Sequence, residues 1–123
     1  MTTYISREHN DHIRLTNDSG ADLAQYAASV IGELAVVADE AIVGDAIGPF
    51  AVETALEVQS DDLVTGELTF GTPNQIVYWS PDDLAFSDTE TTGYYEWGQL
   101  KEVKDANGVI VITKFFRAVL ITS

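Results

Sequence analysis

The chain has 123 residues, 46% hydrophobic and 21% charged, enough for one domain with a real core and too apolar for a disordered segment. It has no cysteine, which excludes disulfides and thiolate metal sites, and its six Lys/Arg against 20 Asp/Glu leave a net charge of −14. All six basic residues lie outside 15–100, whereas every acidic residue except Glu8, Asp11, Glu102 and Asp105 lies inside it. Phosphate neutralisation needs Lys/Arg patches, so the charge balance argues against direct nucleic-acid binding and, for the same reason, against an anionic membrane surface.

Residues 1–11 are polar, lack an apolar signal-like run and read as an extended N-terminal arm preceding a single β domain over 12–123. "HIRLT" (12–16) alternates as a strand does, and "NDSG" (17–20) supplies four turn formers. The stretch 21–38 is ambiguous. Leu23, Tyr26 and Val30 fit a helical face, but Gly32 interrupts it and "SVIGELAVVA" also reads as two apolar strands around a turn. We favour strands. Turn signals at Gly44-Asp45 and Gly48-Pro49 lead into Phe50, Val52, Thr54, Leu56 and Val58, which share one side of a period-2 pattern.

A loop, a short strand and a turn are expected over 61–74, then a β-branched and aromatic strand, "QIVYW". "SPDD" (80–83) ends it and "LAFS" returns, the pattern of a hairpin. "TGYYEWGQLKEV" is a further strand, and "DANG" (105–108) is a hairpin turn before the closing "VIVITKFFRAVLITS". About eight short strands with turns every 8–12 residues or so predict an all-β fold, a compact antiparallel sandwich or barrel.

Side-chain chemistry is sparse. Asp61-Asp62 and Asp82-Asp83 are adjacent pairs at expected turns, where neighbours point apart instead of converging on one substrate. A hydrolase using Asp82 or Asp83 is the weakest of the readings. Asn17, Ser19 and Asp22 have calcium-loop chemistry without its spacing, since Ala28 falls where a bidentate Glu belongs. His9 and His12 lack further ligands nearby. No nucleophile elbow or glycine-rich phosphate loop is present, so we expect no catalytic residues, metal or cofactor. Tyr78, Trp79, Tyr94, Tyr95 and Trp97 offer two readings: a core or subunit interface, or a sugar-stacking face. The second makes the alternative function a carbohydrate-binding β-sandwich on a virion or cell surface.

Taken in order, four stretches resemble the small capsid decoration, or cement, proteins of tailed bacteriophages. "SVIGELAVVADEAIVGDAIGPFAVETALEV" is similar to that family's run of small apolar strands. "GTPNQIVYW" resembles its "GD.VYWD" signature, with Ile76, Val77, Tyr78 and Trp79 as the common part. "DDLAFSDTETTGYYEWGQLKEVKDANG" is similar to its short hairpin and return strand, and "VIVITKFFRAVLITS" to its closing strand. The likeness spans 12–123. Departures are Pro73-Asn74 at the acidic-glycine position, "YYEWG" in place of a glycine, and a longer C-terminal strand.

The resemblance implies a non-enzymatic structural protein on the outer surface of the virion. It implies the major capsid protein as partner, and a homotrimer on the head. Capsid contacts are then expected from the arm, at Tyr4, Ile5 and Arg7 with Arg14 beside it. A second set for capsid or subunit contact is Lys114, Phe115, Phe116 and Arg117, in which an apolar anchor would sit inside a basic rim.

Overall fold

A computed structural model describes residues 3–5, 12–54, 56–64, 74–104 and 109–122. Among them the chain forms ten strands and no helix, so the expected all-β class holds. The strands are β1 (Thr3–Ile5), β2 (His12–Thr16), β3 (Ala28–Ile31), β4 (Leu34–Ala38) and β5 (Ile47–Ala51), followed by β6 (Glu57–Ser60), β7 (Ile76–Ser80), β8 (Ala85–Ser87), β9 (Tyr95–Val103) and β10 (Ile110–Leu120). Every strand pairing is antiparallel.

The strands lie in two layers. One runs β1-β6-β10-β9-β7-β8 and the other β2-β5-β4-β3. They are joined through β10, whose first half pairs with β6 from Ile110 to Thr113 and whose later Arg117 pairs with Leu34 of β4. An 11-residue strand that changes partner part-way along gives a sandwich closed on one side, as in a partly formed barrel.

Between the layers lies the main core, with Ala35, Val37 and Ala51 from the smaller sheet against Val58, Trp79, Phe86, Trp97, Leu100 and Ile112 from the larger. The period-2 rule assigns the alternate residues of β4 and β5 to the opposite face. Val36, Ala38 and Phe50 form a second, smaller core there with Leu23 and Ile42. Those last two come from loops that fold over the sheet, tied by reciprocal Leu23–Ile42 backbone hydrogen bonds of 2.9 and 2.8 Å. Strand β4 is therefore buried on both faces, which explains its unbroken apolar run "AVVA".

Most expected turns are present. Gly32 lies at φ +61° at the first position of the two-residue β3–β4 turn, where a type II′ hairpin needs glycine. The helical alternative for 21–38 does not occur, because the β3–β4 ladder takes up Ala28–Val37. The β7–β8 hairpin turns at 81–84, where Asp83 N–H donates to Ser80 Oγ (3.2 Å) and that hydroxyl donates to Asp83 Oδ2 (2.9 Å). β9 and β10 pair as expected, although their turn at 105–108, like the strand expected within 65–73, lies outside the described residues.

Two expectations fail. Gly48-Pro49 is not a turn: both residues lie within β5, opposite Leu15 and Arg14 of β2. Phe50 to Val58 is not a single strand: β5 ends at Ala51 and β6 begins at Glu57. Phe50 and Val52 enter the smaller core while Leu56 and Val58 enter the main one. The apolar residues stay at even positions across the five-residue connection 52–56 only because they enter two different cores, so periodicity alone could not show the break. Of the arm, Thr3–Ile5 forms β1, paired with Ser60–Val58 of β6.

Candidate functional site

The acidic pairs do not build a catalytic centre. Asp82 and Asp83 are exposed in the β7–β8 turn, with the Asp83 carboxylate accepting from Ser80. Asp61 and Asp62 stand where β6 ends, and Asp62 N–H donates to Ser60 Oγ (2.9 Å). The calcium-like stretch is a surface turn pinned by one buried residue, Asn17. Asn17 is wholly buried, donates from Nδ2 to the carbonyls of Ala21 and Ile42 (both 2.9 Å), and accepts from Ser19 N–H and Oγ–H at Oδ1. Asp22 accepts from Gly44 N–H at 2.8 Å. These oxygens anchor the loop that covers the small core. Among the described residues no three His, Asp or Glu converge as a metal site.

The aromatic cluster divides. Trp79 and Trp97 are 2% and 0% exposed, so of the two readings the core one holds for them and the sugar-stacking one does not. Their alternation with Tyr78 and Glu96 turns the indoles inward, and Trp97 meets Phe86 edge-on with centroids 5.0 Å apart. Its indole N–H donates to Ser29 O at 3.0 Å, linking β9 to β3 of the other layer. Tyr78, Tyr94 and Tyr95 remain half-buried.

The arm set is described only in part. Tyr4 and Ile5 stand in β1, opposite Gln59 and Val58 in the ladder. Arg7 lies outside the described residues. Arg14 is exposed on β2, the end strand of the smaller sheet, opposite Pro49.

The "KFFR" set is split by β10. Lys114 is 1% exposed, and its ammonium donates to the carbonyls of Ala35 (2.8 Å), Val52 (3.0 Å) and Phe115 (2.7 Å). Burial lowers its pKa from 10.5 to about 8, against the opposing pull of the Glu53 charge. Lys114 is therefore withdrawn from the contact surface expected of it: its parity on β10 is that of the core residues Ile112 and Ala118. Phe115 is half-buried, whereas Phe116 is 43% exposed. Arg117 is exposed and pairs with Glu33 at 2.9 Å.

Beyond them, Val119 and Leu120 are 54% and 47% exposed, giving an apolar strip along the end of β10. The strip borders an open groove of about 370 Å³ lined by Gly32, Glu33, Tyr95, Arg117, Val119 and Leu120. Three large apolar side chains are thus exposed within five residues of one strand. Sequence reading found its first half in "FF" and missed Val119 and Leu120, which passed as an ordinary closing strand. The signal available was the unbroken apolar "AVLI", too long for one buried face.

Comparison of the sequence with protein-family models and with curated proteins, and of the fold with solved structures, gives no match.

Proposed function

We propose that the chain is a structural protein that binds the outside of a phage head and stabilises the lattice of its major capsid protein, standing there as a homotrimer. The observation that carries this reading is the exposed strip Phe116–Val119–Leu120 beside the Glu33–Arg117 ion pair. It has the make-up of a protein contact, an apolar centre with a charged rim. The all-β sandwich and the four-part sequence resemblance agree with it.

The charge distribution agrees as well. Of the few cations, Lys114 is internal, while Lys101 and Arg117 face Glu57 (2.7 Å) and Glu33 (2.9 Å). Little positive charge is left to hold a phosphate backbone, whereas an acidic exterior suits a protein that must stay soluble until it docks. A protein that binds only the assembled shell stabilises it by mass action, and many copies on a closed lattice multiply a modest single contact.

The test is sedimentation with expanded empty heads assembled from the major capsid protein of the same gene cluster. The wild-type protein pellets with them to saturation, and a Phe116→Ser/Leu120→Ser variant, shown folded by circular dichroism, stays in the supernatant. Wild-type protein left in the supernatant at saturating concentration refutes the proposal.

A further inference from the structure

The two layers meet at a gap in the hydrogen-bond ladder. Along one edge, β4 pairs with β10 at Leu34 and with β5 from Val37, leaving residues 35–36 between two partners. On β10, Lys114 N–H donates to Leu56 O and Ala118 N–H to Glu33 O, both at 2.9 Å, so the backbone donors on either side of the gap are already used. Residues 115–118 also lie where the β9–β10 register shifts. Into this gap point the carbonyls of Ala35 from β4, Val52 just past β5, and Phe115 from β10, and all three converge on Lys114 Nζ.

We propose that the three carbonyls form a binding site for a primary ammonium group, which the chain fills with its own Lys114, and that this group closes the seam between the two sheets. An ammonium carries three N–H donors and no acceptor, matching three carbonyls and nothing else. A water molecule has two donors and would leave one carbonyl without a partner. Burying the charge is unfavourable, and charge-assisted bonds of 2.7–3.0 Å together with the nearby Glu53 charge offset part of this. Gly98, opposite Lys114 on β9, keeps the approach open: a Cβ there would lie 2.6 Å from Thr113 O and 3.2 Å from Lys114 Cα.

Truncation supplies the test. Lys114→Ala removes the side chain beyond Cβ, and propylammonium has the length and head group to replace it. In thermal unfolding, propylammonium chloride at about ten times its dissociation constant raises the Tm of Lys114→Ala by roughly 4–6 °C over tetramethylammonium chloride at equal concentration. The wild-type protein responds equally to both salts. Equal responses in the variant overturn the proposal. A second measurement does not require the variant to fold. In wild-type protein labelled with ¹⁵N-lysine, one ammonium resonance at neutral pH, assigned to Lys114, exchanges slowly with water, unlike those of Lys101 and Lys104. Three lysine ammonium groups exchanging at the solvent rate overturn the proposal equally.

Discussion

Lys114 makes the stability of the fold depend on pH in an unusual direction. Its pKa is about 8 in the folded chain and 10.5 when released to water. The unfolded state therefore binds the proton more tightly, and between those values it carries more protons than the native state. Stability then rises with pH. The full difference is worth about 3 kcal/mol, and about 2 kcal/mol of it appears by pH 9.5. Tyr78 acts in the opposite sense, because burial and then the charges of Glu90 and Glu96 raise its pKa above 10.0, so measurement should stop below that value.

Lys114→Met removes the charge and the donors together. Three carbonyls left without their donor cost roughly 2 kcal/mol each, while about 3 kcal/mol of charge burial is relieved, a net loss of about 3 kcal/mol at pH 7. Urea unfolding at pH 7.0, 8.5 and 9.5 measures both quantities. The wild type gains stability across the series, and the variant starts lower and stays level. A wild type that is flat or falling with pH, or a variant that keeps the rise, refutes the reasoning.

Gly98→Ala places a methyl group against Thr113 O at 2.6 Å and Ile112 Cγ2 at 2.7 Å, neither of which is a free chain end. It should lower stability by about 3 kcal/mol in urea unfolding, and a change below about 0.5 kcal/mol contradicts the close approach. Trp97→Phe keeps an edge for Phe86 but removes the donor to Ser29 O, with an expected loss of about 2–4 kcal/mol by the same assay. Leu84 sits at φ +52° with its side chain 39% exposed, so Leu84→Asn relieves a conformation that a branched side chain tolerates poorly. A gain of up to about 1 kcal/mol, seen as a higher Tm, is expected, and a lower Tm contradicts it.

The sequence carried the fold class well because its strongest signals are local. Gly32 marks its turn by a positive φ, "SPDD" by the Ser80–Asp83 hydrogen bonds, and β7 by alternation of Val77 and Trp79 inward with Ile76 and Tyr78 outward. Nonlocal features did not show. The break between β5 and β6 leaves the apolar residues at even positions although they enter different cores, and the second core depends on Leu23 and Ile42, 19 positions apart, meeting across loop and strand. Lys114 is the clearest case. In "TKFFRA" it looks like a surface cation, and only the partner change of β10, set by distant Leu34 and Val58, brings three carbonyls around it. The exposed strip was half visible: Phe116 stood out in "FF", whereas Val119 and Leu120 passed as part of a closing strand.

The proposal that this chain decorates a phage head is tested most directly by cryo-electron microscopy of expanded heads mixed with saturating protein. Added density of threefold symmetry is expected at capsomer junctions, fitted by this sandwich with Phe116, Val119 and Leu120 buried against the shell or a neighbouring copy. Heads without added density, or density with that strip facing solvent, would contradict it.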